Sequence, residues 1–338
     1  MTHPSAKMVF VVGNSRSGTT MMSRVLGRNS AIHGFPELHY IEQMVTAEQF
    51  ASDNPVQDAR AIDLVARLIS IFRLGYFKRR EPERFLSEAQ DIINGVKPRT
   101  HAALLRAAML AEARRHDAVI ACEQTPRNVF HIDAILAAYP DAVVINMVRD
   151  PRDVLLSQKN KWRRRSMGAP IPRFEALRAW MNYHPLTMSL LWKSAVTAGC
   201  RPRNRVLTVR FEDLLAQPQD ALREICTHIG IEYDANMLNV PQVGSSARQD
   251  QSAQSGIDKN RSEAWRNGGL SATEIAICER TNSKLMNDLG YAPSGSNASV
   301  LAITLQKLLM PVKLIGALAL NLGRVRNIFG WLRKRILT

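Results

Sequence analysis

Cysteine is scarce in this sequence, which has only four cysteines among 338 residues. They are widely scattered, and none lies at the short spacings that bind zinc or an iron–sulfur cluster. The sequence therefore predicts free thiols in the core, with neither a disulfide framework nor a metal cofactor. The cysteines are Cys122, Cys200, Cys226 and Cys278.

A long apolar leader is also lacking at the start of the chain. Only seven residues precede the first apolar segment, residues 8–12. This is too few for a signal peptide or an N-terminal membrane anchor. We therefore expect a cytoplasmic protein.

Acidic residues are outnumbered, since 30 Asp and Glu stand against 45 Lys and Arg and leave a net charge of +15. A field of this sign favours anionic partners. No aromatic platform or recognised nucleic-acid motif accompanies the dense basic run 159–165, so nucleic acid is not expected and the run is interpreted as the rim of an anionic site. Apolar residues make up 46% and charged residues 22%, and the length favours one large α/β domain.

The first apolar segment leads into a glycine-bounded polar turn. The β-branched run 8–12 predicts a buried strand, and the turn between Gly13 and Gly18 is followed by apolar residues at helical spacing. Such a turn presents backbone N–H groups and the positive end of a helix dipole to one point, which predicts an anion site. The glycine spacing is that of a P-loop, but Thr19 stands where the P-loop lysine belongs, and Arg16 is the nearest cation.

A second polar segment follows another predicted strand. Residues 142–148 form an apolar run that continues directly into Arg149, and Pro151 and Asp153 indicate a helix start. Ligands bind at strand ends in open α/β sheets. The alternative is structural, with Arg149 and Asp150 forming a local ion pair and Ser157 an incidental helix residue.

Together these two segments resemble the phosphate motifs of sulfotransferases that use 3′-phosphoadenosine 5′-phosphosulfate (PAPS). The sequence Arg16-Ser17-Gly18-Thr19-Thr20 resembles their 5′-phosphosulfate loop, and Arg149 to Ser157 resembles their 3′-phosphate motif. The Arg in the loop is closest to the tyrosylprotein, carbohydrate and bacterial branches. The resemblance covers about residues 8–291. It implies an α/β fold with a P-loop-like central parallel sheet flanked by helices, a helical insertion at about 45–117 and a C-terminal helical tail.

The resemblance also implies a division of the chain and a set of site residues. Residues 1–294 would form the sulfotransferase domain, and 295–338 a basic amphipathic tail. Residues implied to bind PAPS, or the product PAP, are Ser15, Arg16, Ser17, Gly18, Thr19, Thr20, Arg149, Ser157, Lys161 and Lys259. In the long polar loop after residue 241, Ser245 and Ser246 are implied as further contacts to the sulfuryl group.

The implied reaction is in-line displacement at sulfur without a metal. Glu37 matches the general base that takes the proton of the acceptor hydroxyl, and Arg16 would stabilise the transferring group. The alternative for Glu37 is a cap at the start of a helix over residues 38–50. Many family members have Lys where Gln124 stands, so the second cation near the sulfuryl group is unassigned.

The sequence leaves the acceptor and two other functions open. The acceptor hydroxyl could belong to a carbohydrate, a glycolipid, a peptide tyrosine or a small metabolite. A P-loop nucleotide kinase is one alternative function, although it needs magnesium and the missing lysine. A non-catalytic nucleotide-binding protein at a membrane surface is the other.

The C-terminal tail is apolar and basic together. From Gly295 onward there are seven Lys and Arg residues and no acid. Pro311 and the internal lysines disfavour a membrane span, whereas an amphipathic helix over 300–337 lying on an anionic inner-membrane surface fits. The alternative is a helical pair that packs on the protein or on a second subunit of a homo-oligomer.

Overall fold

The computed structural model describes residues 7–75, 81–165, 172–242, 251–258, 261–322 and 332. A five-stranded parallel sheet in the order β2-β3-β1-β4-β5 forms its centre, and a separate antiparallel pair joins β6 to β7. The strands are β1 (Met8–Gly13), β2 (Ile32–Gly34), β3 (Ile120–Glu123), β4 (Ala142–Val148), β5 (Val206–Arg210), β6 (Pro241–Gln242) and β7 (Gln251–Ser255).

Helices cover both faces of the parallel sheet. Alternating side chains of β1 enter two separate cores, because successive residues of a strand point to opposite faces. The α-helices of the described residues are α1 (Thr19–Leu26), α2 (Ala47–Ala51), α3 (Asp58–Leu74), α4 (Leu86–Asn94), α5 (His101–Arg115), α6 (Ile132–Ala138), α7 (Pro151–Lys159), α8 (Arg173–Asn182), α9 (Pro185–Gly199), α10 (Phe211–Ala216), α11 (Pro218–Ile229), α12 (Ala272–Asp288), α13 (Val300–Leu308) and α14 (Met310–Asn321). The predicted α/β fold with a central parallel sheet is confirmed.

The strand order sets the position of the site. Strand β1 lies between β3 and β4, and its last residue, Gly13, pairs with Met147 near the end of β4. The turns that follow β1 and β4 therefore emerge side by side at the same edge of the sheet. Such an edge at a change of strand order is where open α/β sheets bind ligands.

The segment around Glu37 differs from both structures considered for it. The short edge strand β2, Ile32–Gly34, lies just before Glu37 in the sequence, and the sequence pattern did not predict it. No helix begins at Glu37, since His39 and Glu42 have positive φ angles of 49° and 80° and the next α-helix is α2, capped by the Thr46 side chain. The helix-cap alternative for Glu37 is therefore wrong.

The four cysteines are free thiols, as predicted. Three are buried, Cys122, Cys226 and Cys278, and Cys200 is half-buried. Burial raises the pKa of all four thiols, so they are poor nucleophiles at neutral pH.

Helices α13 and α14 follow one another almost without a break. Together they make one 22-residue stretch, Val300–Asn321, that is long and apolar enough to cross a membrane by length and composition. One face of it packs on the rest of the protein, because Ile303 and Ala317 are buried.

Candidate functional site

The turn after β1 depends on its two glycines. Gly18 precedes α1 with φ of 93°, and a Cβ there would lie 2.4 Å from the Phe211 ring. At Gly13, with φ of 145°, a Cβ would lie 2.3 Å from the Met147 carbonyl oxygen. A side chain at either position would therefore clash as well as strain the backbone.

The turn presents hydrogen-bond donors at the N-terminus of α1. The Ser17 N–H is used within the turn, where it donates to the Asn14 carbonyl oxygen at 3.1 Å. The Ser17 hydroxyl, however, is buried and has no hydrogen-bond partner among the described residues. Ser15 is half-buried, Thr19 is buried, and Thr20 is exposed beside the helix start. This set of donors suits a phosphate group.

Arg16 joins the two predicted phosphate motifs. Its Nε donates to the Ser157 hydroxyl on α7 at 2.8 Å, and its carbonyl oxygen accepts from Arg149 Nη1 at 3.4 Å. Arg16 itself has a positive φ of 79°, which is a strained conformation for a residue with a side chain. The turn after β1 and the segment after β4 therefore form one site.

Arg149 is held by contacts on several sides. Its guanidinium lies over the Phe211 ring, 4.5 Å from the ring centroid, and Nη2 donates to the Arg261 carbonyl oxygen at 2.6 Å. Its own carbonyl oxygen accepts from the Trp192 indole at 2.9 Å. These contacts leave Arg149 Nε buried and without a hydrogen-bond partner among the described residues.

The predicted alternative ion pair between Arg149 and Asp150 does not form. Asp150 pairs instead with Arg152, at 2.6 Å, and accepts the backbone N–H of Arg152 as the cap of α7. Arg149 lies 3.5 Å from Asp153, one turn along the helix. The Asp150 backbone N–H donates to Glu212 Oε1 at 2.9 Å, so Glu212 supports the start of α7.

A clamp between α7 and residues 261–267 is a part of the site that the sequence did not reveal. Asp153 Oδ1 accepts the backbone N–H of Trp265 at 3.0 Å, and the Trp265 ring stacks under Arg152 at 4.0 Å. Burial raises the pKa of Asp153. No spacing signal relates these residues, because they lie 112 positions apart.

Cations crowd around Arg16. Burial lowers the pKa of Arg16 below its usual range, and the charges of Arg164 and Arg149 lower it further, whereas Glu37 acts in the opposite sense. The surrounding protein partly desolvates Lys161 and lowers its pKa, and the Arg16 charge adds to this effect, although the residue remains exposed to solvent. Arg164 and Lys161 both belong to the 3₁₀ segment Lys161–Arg165. An anion bound among these groups would be attracted by all of them.

Glu37 lies within the electrostatic reach of Arg16 and Lys161, since its negative charge partly opposes the lowering of both pKa values. Its Oε2 is 3.1 Å from His39 Nε2, and its side chain is 39% exposed. The two residues that follow it, Leu38 and His39, donate their backbone N–H groups to Thr125 Oγ1 at 3.1 and 3.2 Å. Thr125 therefore fixes the backbone beside Glu37.

The buried Glu123 supports this arrangement from beneath. It accepts hydrogen bonds from the Thr125 hydroxyl and, at 2.8 Å, from Asn128 Nδ2. Burial raises its pKa. Its neighbour Gln124 is buried and accepts from the Thr20 hydroxyl at 3.3 Å, so position 124 contributes a hydrogen-bond acceptor to α1 but no charge.

The structure brings together most of the predicted site residues. Ser15 to Thr20, Glu37, Arg149, Ser157 and Lys161 meet at the carboxyl edge of β1 and β4. Lys259, Ser245 and Ser246 lie outside the described residues.

These features define a parallel α/β protein with a P-loop-like anion site. The chain belongs to the sulfotransferase family, whose model matches residues 8–235. This membership does not favour the nucleotide-kinase alternative.

Individual relatives are distant. An uncharacterized protein of Aquifex aeolicus (strain VF5) is 22% identical over 282 residues, a match covering 78% of this chain and 31% of that protein. The chain thus spans about a third of the length of this curated relative. The sulfotransferase domain from the curacin biosynthetic pathway is 15% identical with a TM-score of 0.48, covering 83% of this chain and 97% of that one. The sulfotransferase domain from the Synechococcus PCC 7002 olefin synthase is 19% identical with a TM-score of 0.47, covering 84% and 96%.

Proposed function

We propose that this protein transfers the sulfuryl group of PAPS to an acceptor hydroxyl and releases PAP. The contact of Arg16 with Ser157, together with that of Arg149 with the Arg16 carbonyl, is the observation that carries this proposal. It unites two anion-binding segments in one cleft, and PAP has two separate phosphate positions. The turn donors and the Ser17 hydroxyl would hold the 5′-phosphate.

The 3′-phosphate would lie between Arg149 and Ser157. Arg149 offers a planar charged donor set whose Nε is buried without a partner among the described residues, and Ser157 offers a hydroxyl. Arg16 lies between the two phosphate positions and contributes a charge to both. Charge-assisted hydrogen bonds of this kind are roughly twice as strong as neutral ones.

Glu37 would act as the general base. The acceptor oxygen forms a bond to sulfur, the bond from sulfur to the bridging oxygen breaks with its electron pair going to the 5′-phosphate of PAP, and the acceptor proton goes to Glu37. A carboxylate within hydrogen-bond reach of the attacking hydroxyl suits this role. Thr125 and Glu123 fix the backbone of the adjacent residues and so position Glu37.

Lys161 would supply the charge that position 124 lacks. The charges of Arg16 and Glu37, which flank the transferring group in this proposal, both act on the pKa of Lys161, so Lys161 lies near them. Gln124, by contrast, is engaged with Thr20 and is neutral. Pre-placed cations stabilise charge that develops in a transition state, so Lys161 is assigned to the sulfuryl and bridging oxygens.

The direct test is incubation of the protein with [35S]PAPS and fractionated lipid, glycan and metabolite extracts. We expect label in one acceptor fraction and release of PAP, with no product when ATP and magnesium replace PAPS. Absence of label in every fraction, with PAP not bound in calorimetry, would reject the proposal in favour of another ligand.

A further inference from the structure

An apolar stripe covers the outer side of α13 and α14. The stripe contains six large apolar side chains, each between 55% and 69% exposed. Together with the exposed Ala319, they follow one another at alternating spacings of four and three residues. These residues are Leu301, Leu305, Leu308, Val312, Ile315 and Leu322. Contiguous apolar exposure of this extent is uncommon on a protein that has no partner for it.

The stripe is exposed although its helices are anchored. Gly316 packs closely on Met181, since a Cβ at position 316 would lie 2.7 Å from the Met181 sulfur. The Arg178 side chain donates to the Leu320 carbonyl oxygen at 3.0 Å, and His184 Nε2 lies 2.8 Å from the Gln306 carbonyl oxygen. The helices thus hold a fixed orientation, and the same outer face remains in solvent.

The apolar face continues from α14 onto α8. Lys313 lies over the Trp180 ring, 3.4 Å from its centroid, and so joins the two helices at this surface. Phe174, Leu177 and Trp180 follow at three-residue spacing on α8, and each is 46–50% exposed. We name the stripe together with these three residues the outer face.

The outer face adjoins the rim of the candidate site. Helix α8 packs against the 3₁₀ segment Lys161–Arg165. That segment exposes Trp162 and carries Lys161, whose charge is coupled to Arg16 and Glu37. A surface bound to the outer face would therefore lie next to the cleft.

The positive charge of the chain favours an anionic bilayer over a second copy of the chain as the partner of the outer face. No acid follows Asp288 in the sequence, and the whole chain carries +15. Two copies of such a chain would repel each other, whereas an anionic bilayer attracts it by about 1 kcal/mol per surface cation. The positions that flank the stripe, such as Thr304, Pro311 and Gly316, also lack the charged pairs that specify a coiled coil.

We propose that the outer face docks on an anionic bilayer, and that the acceptor hydroxyl belongs to an amphiphile within that bilayer. The second part rests on the proposed sulfuryl transfer. Apolar side chains, interfacial tryptophans and surrounding cations form the combination that binds a membrane interface. Docking would hold the rim at Lys161 close to the lipid headgroups.

Docking is tested by sedimentation of the full chain with vesicles of phosphatidylglycerol and phosphatidylcholine in about equal amounts, and with phosphatidylcholine alone. We expect binding to the anionic vesicles and release by high salt. The double variant Leu305→Glu/Leu308→Glu should bind at least tenfold more weakly, since burial of one leucine alone is worth about a tenfold change. The matched control is Leu86→Glu/Val119→Glu, which changes two exposed apolar residues outside the outer face and should bind like the wild type.

Two results would overturn docking. One is equal vesicle binding by wild type and the Leu305→Glu/Leu308→Glu variant. The other is a dimer in sedimentation velocity that this variant converts to a monomer, because a second copy would then occupy the outer face. Calorimetric titration with PAP checks that each variant keeps its nucleotide site, since the changed side chains lie outside the cleft.

The acceptor class is tested separately. A total lipid extract is presented with [35S]PAPS, both intact in vesicles and after mild alkaline deacylation, which releases the headgroups into water. Label in intact lipid, and little in the freed headgroups, is expected. Label only in the water-soluble fraction would refute a membrane-borne acceptor but would leave the proposed sulfuryl transfer intact. Failure of PAP to bind would refute the proposed sulfuryl transfer. In that case vesicle sedimentation would still test membrane docking.

Discussion

Arg16 Nε donates to the hydroxyl of Ser157 at 2.8 Å, across 141 positions of sequence. One side chain in the turn after β1 therefore reaches the helix that follows β4. In the proposed mechanism this contact couples the 5′ and 3′ phosphate positions, so that a ligand with both phosphates uses the whole cleft. Single substitutions around the cleft should separate the contributions of its parts.

Replacing Arg149 by Ala should weaken PAP binding by tenfold to a hundredfold. The change removes a charge-assisted contact worth about 1.5–3 kcal/mol. Because the contact is assigned to the 3′-phosphate, the affinity for AMP should hardly change. Calorimetry with both nucleotides measures the two effects, and equal losses for PAP and AMP would contradict the assignment of Arg149.

Replacing Glu37 by Gln should lower turnover by about 10² to 10⁴ and leave PAP affinity nearly unchanged. The amide keeps the size of the side chain but takes no proton at neutral pH. Turnover of [35S]PAPS and calorimetry with PAP provide the two measurements. Glu232→Gln changes an exposed carboxylate outside the cleft and serves as the matched control. A Glu37→Gln variant with wild-type turnover would exclude Glu37 as the base.

The sequence was sufficient for features that arise from neighbouring residues. An apolar run bounded by Gly13 predicts β1 and its turn, and a strand that ends at Arg149 before Pro151 predicts the start of α7. The conformation after Glu37 could not be predicted, because Thr125 holds Leu38 from 87 positions away. Helical propensity was overridden there by these distant hydrogen bonds.

The surroundings of Lys161 and Asp153 were equally hidden in the sequence. The resemblance assigned Lys161 to the nucleotide, but its coupling to Glu37 depends on the path of the 3₁₀ segment after α7. The bond from Trp265 to Asp153 depends on a return of the chain across the sheet edge. Neither contact leaves a periodic pattern.

Replacing Lys161 by Met should lower kcat by about ten- to a hundredfold, because a cation is removed from the site of developing charge. Lys161→Arg should restore most of the activity. The pH profile provides a second readout, since partial desolvation and the Arg16 charge lower the pKa of Lys161. A lowered pKa means that the charge is lost at lower pH, so wild-type activity should decline at pH values where Lys161→Arg remains active.

A purely structural role for Lys161 predicts a different result. Lys161→Met would then lower the melting temperature, and its pH profile would match those of wild type and Lys161→Arg. Arg163→Met is the matched control, because Arg163 belongs to the same 3₁₀ segment, is exposed like Lys161, and is absent from the charges that shift the pKa of Lys161, which include Arg16 and Glu37. Its kcat should stay within about threefold of wild type, as surface substitutions usually have small effects.

Replacing Gly18 by Ala should disrupt the phosphate turn far more than a glycine change elsewhere. The new Cβ would lie 2.4 Å from the Phe211 ring, and the guanidinium of Arg149 lies on the face of the same ring.

Gly75→Ala is the matched control, because Gly75 has a similar φ of 84° and a Cβ added there would meet no described atom within 4 Å. Gly18 is in the left-handed region, where a side chain costs about 1–2 kcal/mol, and Gly75, with ψ of 156°, is in a region that only glycine adopts readily, so the backbone cost in Gly75→Ala is at least as large. Only Gly18→Ala adds the clash. We therefore expect a loss of melting temperature in Gly75→Ala with unchanged PAP affinity, and at least a tenfold loss of PAP affinity in Gly18→Ala. If the two variants bind PAP equally well, the turn after β1 does not hold the 5′-phosphate.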